Sequence, residues 1–425
     1  MKIGIDISTL LNHGSDIGAG RYIFNLVKSL LASDIGNSYI DKAAGNDNIS
    51  ATGQADIISH MNSATLLQEP VTYVLTARYT TDEHLAVIEE LKKLKTGNHK
   101  LELKLFKTSQ KKLDCANRLR FPPIELLGFK ADLLHCPDFL IPPTLNKNIV
   151  LTIHDLAFIR FPQFNFDWFI KKYTKEVTKN ARIAKRISAD SQSTKNDLVD
   201  FFGINPEKID VIPLGAEEKF RKFDENEKKI DLPAKYELQK KYSISKKFIL
   251  SVGTIEPRKN YPELIRVFNE VKKQGFDTQL VIAGRTGWKS EATYEEKEKS
   301  PFCKDIIFTG RLADDELVQF YNMAELFVYP SIFEGFGLPV LEAMQCGLPV
   351  IASNNSSITE IFIDPRIRDF LVDENNERDF SEKIKLILSD SHLREELSKK
   401  SIANAAKFSW DLTAEKTFSA YLKII

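Results

Sequence analysis

Two carboxylates, Glu334 and Glu342, stand with seven residues between them in the run Ser331 to Ser353, SIFEGFGLPVLEAMQCGLPVIAS. Gly335 and Gly337 lie just before a helix that Pro339 can start, because proline lacks only an N–H that the first turn does not use. The helix is expected to run to about Cys346 and to stop at Gly347, with Leu348–Ala352 following as a buried strand. Glycines let backbone approach a ligand closely, and the N–H groups of Phe336, Gly337 and Leu338 at a helix N-terminus stabilise negative charge. A carboxylate beside an anion site is not there for the anion, since like charges repel. Glu334 suits the hydroxyls of a sugar, and Glu342, one turn into the helix, suits a ribose diol. Taken singly, each of these residues is equally a loop glutamate, a helix-surface glutamate or a turn glycine. The string as a whole points to a site.

Other residues fit the same chemistry. Phe248–Gly253 reads as a strand running into Thr254-Ile-Glu-Pro-Arg258-Lys259-Asn260 and a helix from about Pro262. Arginine offers a planar two-pronged fork and lysine a point charge, a combination that suits a diphosphate. Ile149–Ile153 reads as a buried strand ending in His154-Asp155. Polar side chains at the carboxyl end of a parallel strand lie where doubly wound sheets bind ligands. Asp138 ends another strand and is an acceptor-side candidate. Gly18-Ala-Gly20 lies in a loop between the strand Lys2–Ile7 and a helix ending near Leu31, but lacks the full dinucleotide spacing. Ser357 and Glu360 stand at the spacing of a helix capping box.

The elements that must hold these residues exceed one core. At 425 residues two domains are expected. A run of mixed charges at 216–247 reads as a linker between domains 1–215 and 248–408, with 409–425 completing the first. Residues 34–67, polar and without periodicity, read as an insertion. Net charge is zero, which argues against a general nucleic-acid binder. Four scattered cysteines and seven dispersed histidines suggest no metal site and a reducing compartment. The N-terminus reads directly as a strand and no apolar run reaches 18 residues, so a cytoplasmic chain is expected. Residues 101–200 nonetheless carry 17 Lys/Arg against 11 Asp/Glu. The basic stretches are 107–130 (Lys111, Lys112, Arg118, Arg120) and 171–186 (Lys171, Lys175, Lys179, Arg182, Arg186). They are either solvated helix faces or contacts for anionic lipid headgroups or a lipid-pyrophosphate acceptor, which would place the protein at the inner face of a membrane.

The Glu334–Glu342 string resembles the E-x7-E signature of retaining glycosyltransferases of family 4 (glycosyl transferases group 1), and flanking residues agree as well as the two acids. The resemblance implies an α/β GT-B fold, two Rossmann-like domains facing across a cleft, with a last helix, about Asp411–Ile425 after Phe408-Ser-Trp410, crossing back to the first. It implies that Glu334 contacts the donor sugar, that Glu342 contacts the ribose and that the Phe336–Leu338 amides hold sugar and diphosphate. The T-I-H-D-L context resembles the family's H-D-L motif, which places His154 near the reacting carbon; Asp155 either orients it or caps the next element. The G-x-x-x-x-R-K-N pattern implies donor-phosphate contacts for Arg258 and Lys259. Arg311 and Leu312, after Phe308-Thr-Gly310, are implied to border the base. The loop at Gly18 and Gly20 resembles the G-I-G-R-Y turn of mannosyltransferase-like members, so its backbone would face donor diphosphate or acceptor. The implied reaction moves mannose from GDP-mannose, without metal or other cofactor, to a saccharide or lipid-linked acceptor of a surface polysaccharide. A UDP-sugar donor is the alternative. A nucleotide-sugar epimerase and a non-catalytic sugar-nucleotide binder are further readings.

Overall fold

The computed structural model describes every residue except 16–17, 33–69, 95, 225–226 and 228–231. The insertion expected at 34–67 therefore lies outside the described residues. The chain is α/β and divides into two compact units, each built on one parallel sheet.

The first unit comprises Met1–Leu156, Lys171–Leu214 and Trp410–Ile425. Its strands are β1 (Lys2–Asp6), β2 (Thr72–Tyr79), β3 (Lys100–Lys107), β4 (Leu133–Cys136), β5 (Ile149–Ile153), β6 (Arg186–Ala189) and β7 (Ile209–Val211). They lie in the order β3-β2-β1-β4-β5-β6-β7. The central strands are continuous apolar runs because helices cover both faces: every residue of β5 is buried. Strand order reverses between β1 and β4, so the crevice of this sheet opens at the carboxyl ends of those strands. The helix Trp410–Leu422 packs on the helix Gly18–Ala32 within this unit. Thr413 donates to the Pro213 carbonyl at 2.8 Å, and the Tyr421 hydroxyl meets His135 Nδ1 at 2.7 Å.

The second unit comprises Ala157–Ile170 and Gly215–Ser409. Its strands are β8 (Lys247–Val252), β9 (Thr278–Ala283), β10 (Ile306–Gly310), β11 (Leu326–Tyr329), β12 (Val350–Ser353) and β13 (Leu371–Val372). Their order is β10-β9-β8-β11-β12-β13, which puts the reversal between β8 and β11. Sequence reading assigned all of 1–215 to one domain, whereas the structure groups Ala157–Ile170 with the second unit. The reason is local bonding. Trp288 Nε1 donates to the Phe164 carbonyl at 2.7 Å, Lys289 Nζ donates to the Gln163 and Asn165 carbonyls at 2.8 Å each, and the Phe161 ring packs on Phe333.

Candidate active site

In the second unit the site forms where the strand order reverses. β8 ends at Val252 and β11 at Tyr329, so the loops after them are neighbours in space although some 75 residues apart in sequence. The helix expected from Pro339 runs Leu338–Gln345, with Gly337 at φ 112° just ahead of it. That left-handed backbone, and a Cβ that would fall 2.6 Å from Ile358 Cδ1, explain why a glycine stands there. Within the first turn Pro339 has no N–H and the Val340 N–H bonds the Gly337 carbonyl at 3.0 Å, so the N–H groups that point ahead of the helix are those leading into it, of Phe336, Gly337 and Leu338. Glu342 is 3% exposed and accepts from the Tyr321 hydroxyl at 3.0 Å.

The turn that carries Glu334 is pinned from below. Ser356 Oγ accepts the Glu334 N–H at 3.0 Å, and Ser357 Oγ lies 2.8 Å from the Glu334 carbonyl and 2.9 Å from that of Phe336. The expected capping box at Ser357 and Glu360 is therefore absent. Ser357 has helical backbone angles and makes no side-chain cap bond, because its hydroxyl is drawn to the two carbonyls of the neighbouring turn.

Arg258, Lys259 and Glu334 form one network. Arg258 Nη1 donates to Glu334 Oε2 and to the Phe333 carbonyl, both at 2.7 Å. Lys259 Nζ donates to Glu334 Oε1 at 2.6 Å and to the Tyr329 hydroxyl at 2.6 Å. A second carboxylate that sequence reasoning overlooked, Glu256, accepts from Arg258 Nη2 at 2.6 Å and is 2% exposed. Two anions thus face two cations, and the cluster is neutral. Burial alone raises the Glu334 carboxyl, but the charges of Arg258 and Lys259 outweigh it and hold the group down at about 2. Burial pulls Lys259 below the usual lysine range, and Glu334 opposes it. Sequence reasoning assigned the two cations to phosphate without a protein partner. Glu334 and Glu256 balance their charge within the protein, as burial of two cations in a low-dielectric site requires.

Arg311 and Leu312 follow β10 at the edge of this sheet, Arg311 exposed and Leu312 buried.

In the first unit, His154 follows β5 and Asp190 follows β6. Ile153 pairs with Ala189 in register, so the next residues lie side by side. His154 Nδ1 meets Asp190 Oδ2 at 2.7 Å, and Nε2 lies 3.3 Å from the Pro137 carbonyl. Tyr22 stands edge-on to the ring, with centroids 4.8 Å apart. Burial pushes the His154 pKa down, but the Asp190 charge outweighs it and raises the group to about 9. At neutral pH it is an imidazolium that donates at both nitrogens. His135 is the contrast: buried between Tyr421 and Thr152 Oγ1, it is pushed down to about 3 by burial and by His154, and stays neutral. Asp155 is half-buried beside His154. Sequence reasoning did not single out Asp190, whose role follows from the β5–β6 register.

Asp138 lies after β4. It accepts from Thr9 Oγ1 at 2.9 Å and from the Phe139 N–H at 2.7 Å. Across the β1–β4 reversal, Asp6 accepts from Ser8, and Arg78, 8% exposed, donates to Asn117 Oδ1 at 2.8 Å.

Gly18 and Gly20, expected in a loop, are helical. Both lie in the first turns of the helix Gly18–Ala32, preceded by the helix Ser8–His13. Gly20 is required by packing: its Cβ would fall 1.8 Å from the Gly14 carbonyl oxygen. Gly18 has open space around it, and the structure offers no reason for a glycine there. Among the described residues no group of three or more His, Cys, Asp or Glu is placed to hold a metal ion, and no helix is long and apolar enough to cross a membrane.

With this geometry in hand, the chain can be set beside known proteins. Residues 74–220 match the model of Glycosyltransferase Family 4, and residues 235–404 match that of Glycosyl transferases group 1. O-antigen chain mannosyltransferase B of Escherichia coli is 28% identical over 382 residues, 83% of this chain and 97% of that protein. The serotype-specific mannosyltransferase WbdA of Escherichia coli is 31% identical over 246 residues, 57% of this chain but 29% of that longer protein. HepE of Anabaena, solved in complex with UDP and glucose, superposes with a TM-score of 0.67 at 16% identity, covering 98% of each chain. WaaG, a glycosyltransferase involved in lipopolysaccharide biosynthesis, gives a TM-score of 0.63 at 14% identity, again covering 98% of each chain. At those identities the two structures speak to the fold alone.

Proposed function

The chain belongs to the glycosyl transferases group 1 (family 4) and is a glycosyltransferase, and from this premise we propose that it transfers mannose from GDP-mannose, with retention, to a saccharide or lipid-linked saccharide of a surface polysaccharide. The observation that carries the site reading is the Glu256–Arg258–Glu334–Lys259 network beside the N-terminus of the helix Leu338–Gln345. Such an array of fixed charges, with the N–H groups of Phe336, Gly337 and Leu338 leading into the helix, stabilises negative charge where it develops on a departing diphosphate. In this reading Arg258 and Lys259 face the phosphates, Glu334 accepts from sugar hydroxyls, and Glu342 takes the ribose. The bond between the anomeric carbon and the phosphate oxygen breaks. The acceptor oxygen attacks from the same face, and the leaving phosphate takes the acceptor's proton. His154, held as an imidazolium by Asp190, is proposed to donate to the transferring sugar rather than to act as a base. Arg311 and Leu312 are proposed at the base, Asp138 and Asp155 on the acceptor side. The mannose reading is favoured by the mannosyltransferase names of two relatives; a UDP-sugar is the alternative donor.

The chemistry is proposed to need no metal, because side chains supply the cations. Thermal melts with GDP, UDP and ADP, with and without magnesium, test the reading. Ligand at 100 times its dissociation constant adds about 2.7 kcal/mol of stability. Stabilisation by GDP alone, independent of magnesium, supports the proposal. Selective stabilisation by UDP moves the donor to a UDP-sugar, and no response to any of the three refutes the donor site.

Peripheral contact with an anionic membrane is proposed through the two basic stretches, for a protein working at the inner face. The structure trims the second stretch. Lys171, Lys175, Lys179 and Arg182 line one open face of the helix Asp167–Ile183, but Arg186 belongs to β6 and is bound bidentately by Asp210 at 2.6 and 2.9 Å. In the first stretch Arg120 donates to the Ile141 carbonyl at 2.7 Å, while Lys111, Lys112 and Arg118 are exposed beside exposed Leu119, Phe121 and Leu126. Each basic side chain near an anionic surface adds about 1 kcal/mol. Replacing Lys111, Lys112 and Arg118 by glutamine lowers sedimentation with phosphatidylglycerol vesicles if the proposal holds; unchanged sedimentation sinks it.

A further inference from the structure

We propose that Glu256 is a positioning residue that cancels one cationic charge of the diphosphate site, so that the spent nucleotide leaves. The inference rests on the reading that Arg258 and Lys259 hold the donor phosphates, and it adds the release of product.

The argument begins with what Glu256 does and does not touch. It is 2% exposed. One oxygen receives Arg258 Nη2 at 2.6 Å, and the other is buried with no hydrogen-bond partner among the described residues. An ionised carboxylate with an orphaned oxygen is an expensive way to orient an arginine. A glutamine oxygen would make the same contact, and Arg258 is already oriented by the Phe333 carbonyl and by Glu334. What the carboxylate adds is its charge.

That charge decides the balance of the site. With Glu256, Arg258, Lys259 and Glu334 ionised, the cluster sums to zero. Without the Glu256 charge it carries one positive charge, next to a helix N-terminus that also favours anions. A net positive site holds substrate and product diphosphate alike. Uniform tightening of that kind gains nothing in turnover once substrate saturates, and it slows release of the product. Neutrality leaves the local hydrogen bonds in place for the developing charge without a long-range hold on the departing nucleotide.

The sign of one measurement separates this role from a structural one. If Glu256 only holds Arg258 in place, Glu256→Gln leaves nucleotide affinity unchanged or weaker. If it balances charge, the full-length variant binds nucleoside diphosphate more tightly. At an effective dielectric of about 20, a unit charge acting on one phosphate charge over about 12 Å is worth about ten-fold in affinity, and a closer approach is worth more. Calorimetric titration of wild type and Glu256→Gln with GDP and with UDP, at one ionic strength, reads this directly. The expected result is a Kd about ten-fold lower in the variant, with kcat reduced and product inhibition strengthened in step. A Kd unchanged or raised overturns the proposal while leaving the donor-site reading standing. Failure of wild type to bind either nucleotide overturns that reading, and the proposal falls with it. Should the variant not fold, the ionic-strength dependence of nucleotide binding to wild type decides: a nearly neutral site predicts a shallow dependence, and a steep loss of affinity with salt refutes it.

Discussion

Replacing Glu334 by glutamine removes a charge from between two buried cations, and the consequence can be worked from the structure. Glu334 accepts from Arg258 at 2.7 Å and Lys259 at 2.6 Å and is 7% exposed. Its carboxyl is held at about 2 against an ordinary 4.5. At 1.36 kcal/mol per pK unit this corresponds to about 3 kcal/mol of stability. A depressed folded-state pKa contributes stability that is fully present above the unfolded value and is lost as pH falls through the folded value. Wild type should therefore lose this contribution between about pH 4.5 and pH 2, beyond the loss common to other carboxylates. Glu334→Gln should be less stable at pH 7 by about 3 kcal/mol, in keeping with the cost of stranding buried charges. The difference between the two proteins should shrink steadily as pH falls below 4.5. Urea unfolding at a series of pH values, followed by circular dichroism, measures it. A difference below about 1 kcal/mol at pH 7, or one independent of pH, would refute the view that this carboxylate neutralises the site. Transfer activity of the variant should be lost even where it is fully folded, because glutamine cannot both balance the cations and accept from the sugar with a full charge.

Three further outcomes are expected. His154→Gln should flatten the alkaline limb of the stability profile. The raised pKa contributes stability that is present below about 6.5 and lost as pH rises through about 9; burial of Asp190 offsets part of it, leaving about 2 kcal/mol for unfolding experiments between pH 6.5 and 9.5 to detect. The same variant should lose turnover while retaining affinity for free nucleotide; equal losses in both would count against action on the sugar. Gly20→Ala should destabilise the first unit by about 2 kcal/mol through its clash with the Gly14 carbonyl, whereas Gly18→Ala should be neutral or slightly stabilising; a thermal melt of each checks the contrast. Arg258→Ala should abolish the thermal shift produced by nucleotide, and a retained shift would move the diphosphate away from this loop.

The legible part of this protein was the part written in local sequence. Glycines and a proline at the start of the helix Leu338–Gln345 and apolar runs at the strands each act within a few residues of themselves. The alternation of such elements was sufficient for a doubly wound α/β architecture, since parallel strands demand crossover helices. Local pattern also misled. Gly18 and Gly20 read as a loop, but they open a helix, and the second of them answers to the backbone carbonyl of Gly14, six residues earlier and just past the helix Ser8–His13. Ser357 and Glu360 have capping-box spacing, but Ser357 is captured by carbonyls more than 20 residues away.

The amino-acid sequence by itself determined which residue types were available for chemistry, where the strands end, and hence which carboxyl ends present polar side chains. Only the tertiary structure decided which of them meet. The β5–β6 register sets Asp190 against His154 and makes one histidine a cation, while burial beside Tyr421 keeps His135 neutral. The reversal of strand order between β8 and β11 brings Glu334 and Tyr329 onto Arg258 and Lys259, where Glu256 joins them from two residues upstream. Charge states follow from such meetings because Coulomb attraction and desolvation act through space at a few ångströms, a distance that separation along the chain does not measure.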